Sequence, residues 1–266
     1  KKAHTPFEWH KDLFAYSKKI GITCFSTPFD FSALDLLENL NCPAYKIASF
    51  ELIDLPLIKE VAKTHKPIIL STGMSSYSEI KEAVATIKRQ KNNKIILLHC
   101  ISGYPTPISE INLGEIKKLR SKFNTIVGLS DHSLGTFAST ISVSLGASLI
   151  EKHFTLDKNS KGVDSFFSID KKELKKLCED TFLTWEVIKH KRNILNQSEK
   201  ANYKFRRSLY ITEDIKKGDK FSKNNIKSVR PGYGLEPKYY DWALGKKAKK
   251  NLKKHIPLKK SYIDEK

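Results

Sequence analysis

The stretch GLSDHSLGTFASTISVSLGASLIEKHFT, Gly128–Thr155, decides the fold. It contains two histidines, His132 and His153, each closing a short apolar run. Asp131 precedes the first, and Glu151-Lys152 precedes the second. Between them, Thr136–Leu145 carries a helical pattern. Strand, helix, strand, with polar groups at the end of both strands, reads as a βα unit followed by its next strand.

Working outward, the same unit recurs along the chain. Strand-like segments are ITCFSTPF (22–29), AYKIAS (44–49), PIILSTGM (67–74), KIILLHCIS (94–102), TIVGLSDH (125–132) and SLIEKHFT (148–155). Helical patterns follow over 32–39, 55–64, 76–90, 112–123 and 136–145. Ser76 and Glu79 are spaced as a capping box opening the third of these. Continuous apolar runs imply strands covered on both faces, hence a parallel sheet. Every strand ends in a polar cluster: Ser26-Thr27, Lys46 with Ser49, Ser71-Thr72, His99 with Ser102, Ser130-Asp131-His132, and Glu151-Lys152-His153. In an α/β barrel all strand ends converge on one site, whereas an open sheet concentrates such residues at a switch point. The pattern therefore predicts a TIM barrel. Only six strands are visible, a helical pattern (7–19) precedes the first, and the chain opens on Lys1. The expectation is strands three to eight of a (β/α)8 barrel, in a piece of something longer.

A long amphipathic helix is expected over 171–195, ending the barrel domain at residue 195. A polar linker, 196–204, follows. From Phe205 the texture changes to short strand-like pieces, two Lys-rich turns (IKKGDKF and IPLKKSYI) and the loop VRPGYG. These predict a second domain over 205–266.

Composition narrows the function. The 266 residues are 39% hydrophobic, enough for a core, and no run of about eighteen apolar residues suggests a membrane span. Cys24, Cys42, Cys100 and Cys178 are widely spaced in or beside apolar segments. They read as reduced, mostly buried thiols of a cytoplasmic protein, and with Trp185 and Trp242 as core. The net charge of +19 comes from lysines spread along the chain without an aromatic-interleaved basic motif. It fits attraction of anionic substrates better than nucleic-acid binding.

Two imidazoles at matched ends of adjacent strands suit one divalent ion with positions left for water or substrate, so His132 and His153 are candidate metal ligands. Lys46 near a strand end suits a phosphate or carboxylate, or alternatively a Schiff base. With it, the hydroxyls of Thr27, Ser49, Ser71 and Ser130 form a candidate oxyanion site. Asp164, in the loop GVDSFFS (162–168), suits sugar hydroxyls or proton transfer, and Arg230 sits in a Pro/Gly turn that presents its guanidinium. His99 could face either the site or the core.

In this order, FSTPFD, PAYKIASFE, KPIILSTGM, HCISGYPTP, GLSDHSLG, EKHFT and GVDSFFS resemble the sialic acid synthase family, over nearly the whole chain. The C-terminal part is similar to that family's SAF, or antifreeze-like, domain. HTPFEWH (4–10) and DSFFS resemble its pseudaminic acid synthase branch. Neuraminate synthases tend to carry Asn where this chain has Ser102.

The resemblance implies condensation of phosphoenolpyruvate with 2,4-diacetamido-2,4,6-trideoxy-L-altrose to give pseudaminic acid and phosphate, assisted by Mn²⁺ or Mg²⁺ on His132 and His153. It assigns Thr27, Lys46, Ser49, Ser71 and Ser130 to phosphoenolpyruvate, and Tyr104 and Asp164 to the acceptor sugar. Lys46, Tyr104 and Asp164 are its catalytic candidates. Arg230 is implied to reach a partner's site in a swapped homodimer through the SAF domain. It also implies that two N-terminal strands, carrying a glutamate and a lysine, are absent, so that this chain alone is weakly active or inactive. Neuraminate or legionaminate synthesis, a lysine Schiff-base lyase, and a non-catalytic binding module are the alternatives.

Overall fold

The computed structural model describes residues 5–189 and 195–265. It divides into two units, residues 1–190 and 191–266.

In the first unit, α1 (Phe7–Ile20) and α2 (Phe31–Asn39) precede β1 (Tyr45–Ile47). Then α3 (Leu55–Lys63), β2 (Ile68–Ser71), α4 (Tyr77–Arg89), β3 (Ile95–Cys100), α5 (Glu115–Phe123), β4 (Ile126–Asp131), α6 (Phe137–Ser144), β5 (Ile150–Lys152) and α7 (Lys171–Lys189) follow in alternation. The five strands are parallel and ordered β1-β2-β3-β4-β5. Alternate strand residues point to opposite faces. Tyr45, Ile47, Ile68, Leu70, Ile95, Leu97 and Val127 face the helix layer and are buried with Ile58, Val61, Ile80, Ile87, Ile116 and Leu119. Ser76 opens α4 as the spacing predicts. Its hydroxyl accepts the Glu79 N–H, and the Glu79 carboxylate accepts the Ser76 N–H.

The sheet is curled. Laid flat, four strand spacings would put β1 about 19 Å from β5. Yet Lys46 Nζ of β1 lies 3.5 Å from Glu151 Oε2 of β5. Two side chains fall short of the flat span, so the strands bend round a common interior, as half of a barrel.

Three expectations need correction. ITCFSTPF does not form a strand: only Ser26 pairs, in a single parallel bridge to Tyr45, with the Ser26 carbonyl accepting the Lys46 N–H at 3.2 Å. The segment has a partner on one side alone among the described residues, and Ile22, Phe25 and Phe29 are exposed, so little holds a full ladder. Cys178 and Trp185 are not core. Both lie exposed on α7, where Phe182 and Trp185 line a groove of about 530 Å³ with Leu149 and Ile150. Their pattern is amphipathic, but the face has no covering element among the described residues. On α1, Trp9, Leu13, Tyr16 and Ile20 form a similar exposed stripe. Finally, part of the expected linker is helical: α8 (Gln197–Lys200) starts where Glu199 accepts the Asn196 N–H at 2.8 Å. The predicted α7 extension over 190–194 lies outside the described residues, as does His4 of HTPFEWH.

The second unit packs Leu209, Ile211, Ile215, Phe221, Ile226, Leu252, Leu258 and Ile263 into its own core, with Trp242 partly buried against it. Its one ladder among the described residues pairs β6 (Ser208–Ile211) antiparallel with β7 (Ile226–Val229). Among the described residues, no helix is long and apolar enough to cross a membrane.

The close approach of β4 and β5 depends on Gly128. A Cβ there would fall 2.2 Å from the Leu149 carbonyl oxygen and 2.7 Å from Leu98 Cδ2. The carbonyl is itself bonded to the Leu129 N–H and has no room to yield. Gly128→Ala is expected to cost about 1–3 kcal/mol, the range for overpacking, read as a lower denaturation midpoint. An unchanged midpoint would contradict this packing.

Candidate active site

The interior of the curl is built in two layers by the period-two alternation of the strands. Cys100, Ser130 and Glu151 are direct neighbours across β3, β4 and β5. Lys46 of β1 and Ser71 of β2 face the same interior. Two residues further along the strands lie Ser102, His132 and His153. The flanking residues Asp131 and Lys152 point the other way, into the helix layer.

The lower layer is polar. Ser130 Oγ donates to Glu151 Oε1 at 2.7 Å, and Lys46 Nζ faces the other carboxylate oxygen and donates to the Ile47 carbonyl at 3.1 Å. Ser71 is 2% exposed, and its hydroxyl has no hydrogen-bond partner among the described residues. A buried hydroxyl of this kind is costly without a partner and is suited to a ligand. Ser49, in the turn after β1, accepts the Gly73 N–H at 3.1 Å and lies 3.5 Å from Cys100 Sγ. Gly73 permits this crowding: a Cβ would fall 2.3 Å from Ser102 Oγ and 2.8 Å from Ser49 Oγ. Thr27 lies half-buried beside the Ser26 bridge at the sheet's edge.

The upper layer is aromatic. The His132 and His153 ring centroids are 5.2 Å apart, and the Tyr104 ring is 4.3 Å from His132 and 6.1 Å from His153. Phe167, nearly fully buried, closes the group 4.9 Å from His153. His132 Nδ1 is 2.9 Å from the Ile101 carbonyl, which can only accept, so Nδ1 carries the proton and Nε2 is the lone-pair nitrogen of the neutral ring. His153 Nδ1 lies 3.4 Å from Asp164 Oδ2, which brings Asp164 of the GVDSFFS loop to the same group. Burial and the neighbouring His132 hold the His153 imidazole below the usual histidine range. Burial opposes the charged form of His132 as well, but its contacts with Cys100 and the Ile101 carbonyl outweigh this and raise it.

Thus Lys46, Ser49, Ser71, Ser130, Tyr104, His132, His153 and Asp164 all lie in or around one interior. Arg230 belongs to the second unit, exposed just beyond β7. Three interior residues have no site role in the sequence reading: Glu151, read only within a strand-end polar cluster, Cys100, read as core, and Glu51. Glu151 and Cys100 are in register with Ser130, a signal that period-two counting back from His153 and Ser102 could have found. Glu51 follows Ser49 by two residues; burial pushes its carboxyl up, and its Oε2 is buried without a hydrogen bond. No spacing signal marks it.

A family model described as the NeuB family matches residues 1–193, and a SAF domain model matches 206–263. The chain belongs to the NeuB family. Its NeuB region and SAF domain are together 44% identical over 265 residues to a pseudaminic acid synthase of Helicobacter pylori, covering 99% of this chain and 78% of that one. The N-acetylneuraminic acid synthetase of Leptospira borgpetersenii superposes with a TM-score of 0.71 at 35% identity, over 75% of this chain and 70% of that one. A DAHP synthase of Thermotoga maritima shares the fold alone, with a TM-score of 0.65 at 16% identity over 73% and 60% of the two chains.

His99 lies outside the interior. It faces the helix side of β3, with Nε2 2.6 Å from the Ile111 carbonyl, and burial holds it below the usual histidine range despite that bond. The unfolded chain takes up this proton at the ordinary histidine value, the folded chain only at lower pH. Stability is therefore full above the ordinary value and declines as pH falls towards the folded-state value. Urea denaturation over about pH 5 to 7.5 is expected to show a shallower acid decline in His99→Asn, which can still donate to Ile111. Superimposable pH profiles would exclude this role.

Proposed function

We propose that this chain catalyses the condensation of phosphoenolpyruvate with 2,4-diacetamido-2,4,6-trideoxy-L-altrose, releasing phosphate and forming pseudaminic acid. The carrying observation is the two-layer interior, in which an oxyanion-ready cluster with an unpartnered buried hydroxyl at Ser71 lies beneath a pair of imidazoles. The 44% identity to the Helicobacter pylori enzyme supports the substrate branch.

In this reading Lys46, with the hydroxyls of Thr27, Ser49, Ser71 and Ser130, holds the phosphate and carboxylate of phosphoenolpyruvate. Preorganised donors of this kind stabilise charge without reorganising during reaction. Glu151 already occupies Lys46 and Ser130, so its carboxylate must share them with the incoming anion. Tyr104 and Asp164 meet the open-chain sugar and bring its aldehyde carbon to C3 of phosphoenolpyruvate. The new C–C bond forms there, the aldehyde oxygen takes a proton, and the positive charge falls on C2. Water adds at C2 with loss of a proton, and the C2–O bond to phosphate then breaks as the C2 hydroxyl gives its proton to the departing phosphate, leaving the keto acid. Asp164, facing His153, is placed to move one of these protons. Lys46 faces a carboxylate, an arrangement for binding charge rather than for presenting a free amine, which sets the Schiff-base reading second.

The residues fit a divalent ion. Among the described residues no group of three or more His, Cys, Asp or Glu side chains is disposed to hold one. However, the Ile101 carbonyl fixes His132 with Nε2 available, and His153 lies beside it. His132 and His153 would hold Mn²⁺ or Mg²⁺ with the remaining positions open. Such an ion supplies Lewis acidity towards the aldehyde oxygen.

The half-barrel reads as part of an eight-stranded barrel in which the Ser26 segment is the third strand. Two further strands would close it between that segment and β5, covering the apolar stripe of α1 and the groove of α7. The SAF domain is proposed to swap between two copies, carrying Arg230 over the partner's sugar site. The domain limits that go with this reading are 1–195, 196–204 and 205–266.

Phosphate release tests the proposal, in a form extended at its N-terminus to the length of its relatives. Release is expected with the altrose and not with N-acetylmannosamine, abolished by chelation, and at least about 100-fold slower in His132→Ala or Lys46→Ala. Release with N-acetylmannosamine alone would keep the chemistry and overturn the substrate. Borohydride trapping of pyruvate on Lys46 would point to the lyase.

A further inference from the structure

We infer that the buried Asp131–Lys152 ion pair is a positioning device that sets the separation of the His132 and His153 imidazoles. The inference rests on the proposal that these two side chains hold one divalent ion.

Asp131 and Lys152 are the last registered pair of the β4–β5 ladder. Beyond them, among the described residues, no β4–β5 pairing fixes how far apart the next residues lie, and those residues are the two histidines. The Thr106 N–H bonds the His132 carbonyl at 3.1 Å and the Ile169 N–H the His153 carbonyl at 2.9 Å, which holds each one but not their separation. The ion pair spans this last rung: Lys152 Nζ is 3.0 Å from Asp131 Oδ2, with side chains only 4% and 1% exposed. Lys152 also donates to the Ser133 carbonyl, while Asp131 Oδ1 accepts the Ser133 N–H at 2.8 Å and the Ser133 hydroxyl at 2.6 Å. Both residues flanking His132 are thereby tied to the residue that precedes His153. Ser139 of α6 donates to Asp131 Oδ2 and anchors the clamp to the helix layer.

Stability alone does not call for charges here. Replacing a buried ion pair by apolar groups of similar volume is often neutral or stabilising, and the best-attested use of such a pair is to fix register. Groups that orient metal ligands commonly change metal affinity 10- to 100-fold when removed. Asp131 and Lys152 touch neither the reacting atoms nor the ion, so they are positioning residues.

The test is Mn²⁺ affinity, read from the electron paramagnetic resonance signal of free Mn²⁺, with the visible spectrum of bound Co²⁺ as a report on ligand geometry. The double variant Asp131→Asn/Lys152→Met removes both charges and leaves neither unpaired. It is expected to bind Mn²⁺ at least about tenfold more weakly with a shifted Co²⁺ band, at a denaturation midpoint close to that of the parent. Ser139→Ala, which keeps the pair and removes one donor, is expected to weaken binding about two- to fivefold, a smaller share of the same effect. Parental affinity and spectrum in a folded double variant would overturn the inference. If that variant does not fold, parental affinity in Ser139→Ala overturns it. Equal Mn²⁺ binding by the parent and His132→Ala would instead remove the two-histidine reading, and the inference with it.

Discussion

The register of β4 against β5 is the constraint on which the candidate site depends. Because strand side chains alternate, one register turns Ser130 and Glu151 inward, Asp131 and Lys152 outward, and His132 and His153 inward again. A slip of one residue on β5 would turn Glu151 and His153 towards the helices, and a slip on β4 would turn Asp131 inward and His132 towards the helices. Inner and outer contacts agree on the register that is found. Ser130 bonds Glu151 on one face and Asp131 meets Lys152 on the other, so neither set can move without breaking its counterpart.

Curvature turns this local arrangement into a site. The Lys46–Glu151 approach joins the first and last strands of the five, and only a bent sheet allows it. Bending brings an ammonium from one end of the sheet to the hydroxyl and carboxylate at the other, across an interior lined by Ser71 and Cys100. The layer above is aromatic and less polar.

Much of this could be read from residues alone, because a parallel α/β unit repeats one pattern and each repeat checks the others. Five of six expected strands, the helices between them and the Ser76–Glu79 box formed where the spacing put them. The sixth segment, ITCFSTPF, has the composition of a strand, but pairing needs neighbours and composition does not report them. The same limit explains Trp185 and Cys178: an apolar helix face shows that something should cover it, not that it is covered. Within the interior, Glu151 and Cys100 were legible in principle, two residues before His153 and Ser102. From sequence Glu151 reads only as one of a strand-end polar cluster and Cys100 as a buried thiol, because residue type alone does not report which face of the strand is taken. Glu51, in a turn, obeys no period.

The carboxylate of Glu151 gives the proposed anion site a character that the count of lysines would not suggest. With Lys46 already facing Glu151 and Ser130 bonded to it, the interior carries its own counter-ion. Binding a substrate anion there is an exchange of partners rather than the filling of a bare positive hole. Local neutrality is preserved before the ligand arrives, so the +19 of the whole chain acts on approach, at long range, while selection inside depends on which anion can outcompete one built-in carboxylate. A monovalent salt ion has little to offer in that contest, and a ligand bearing both phosphate and carboxylate has a great deal.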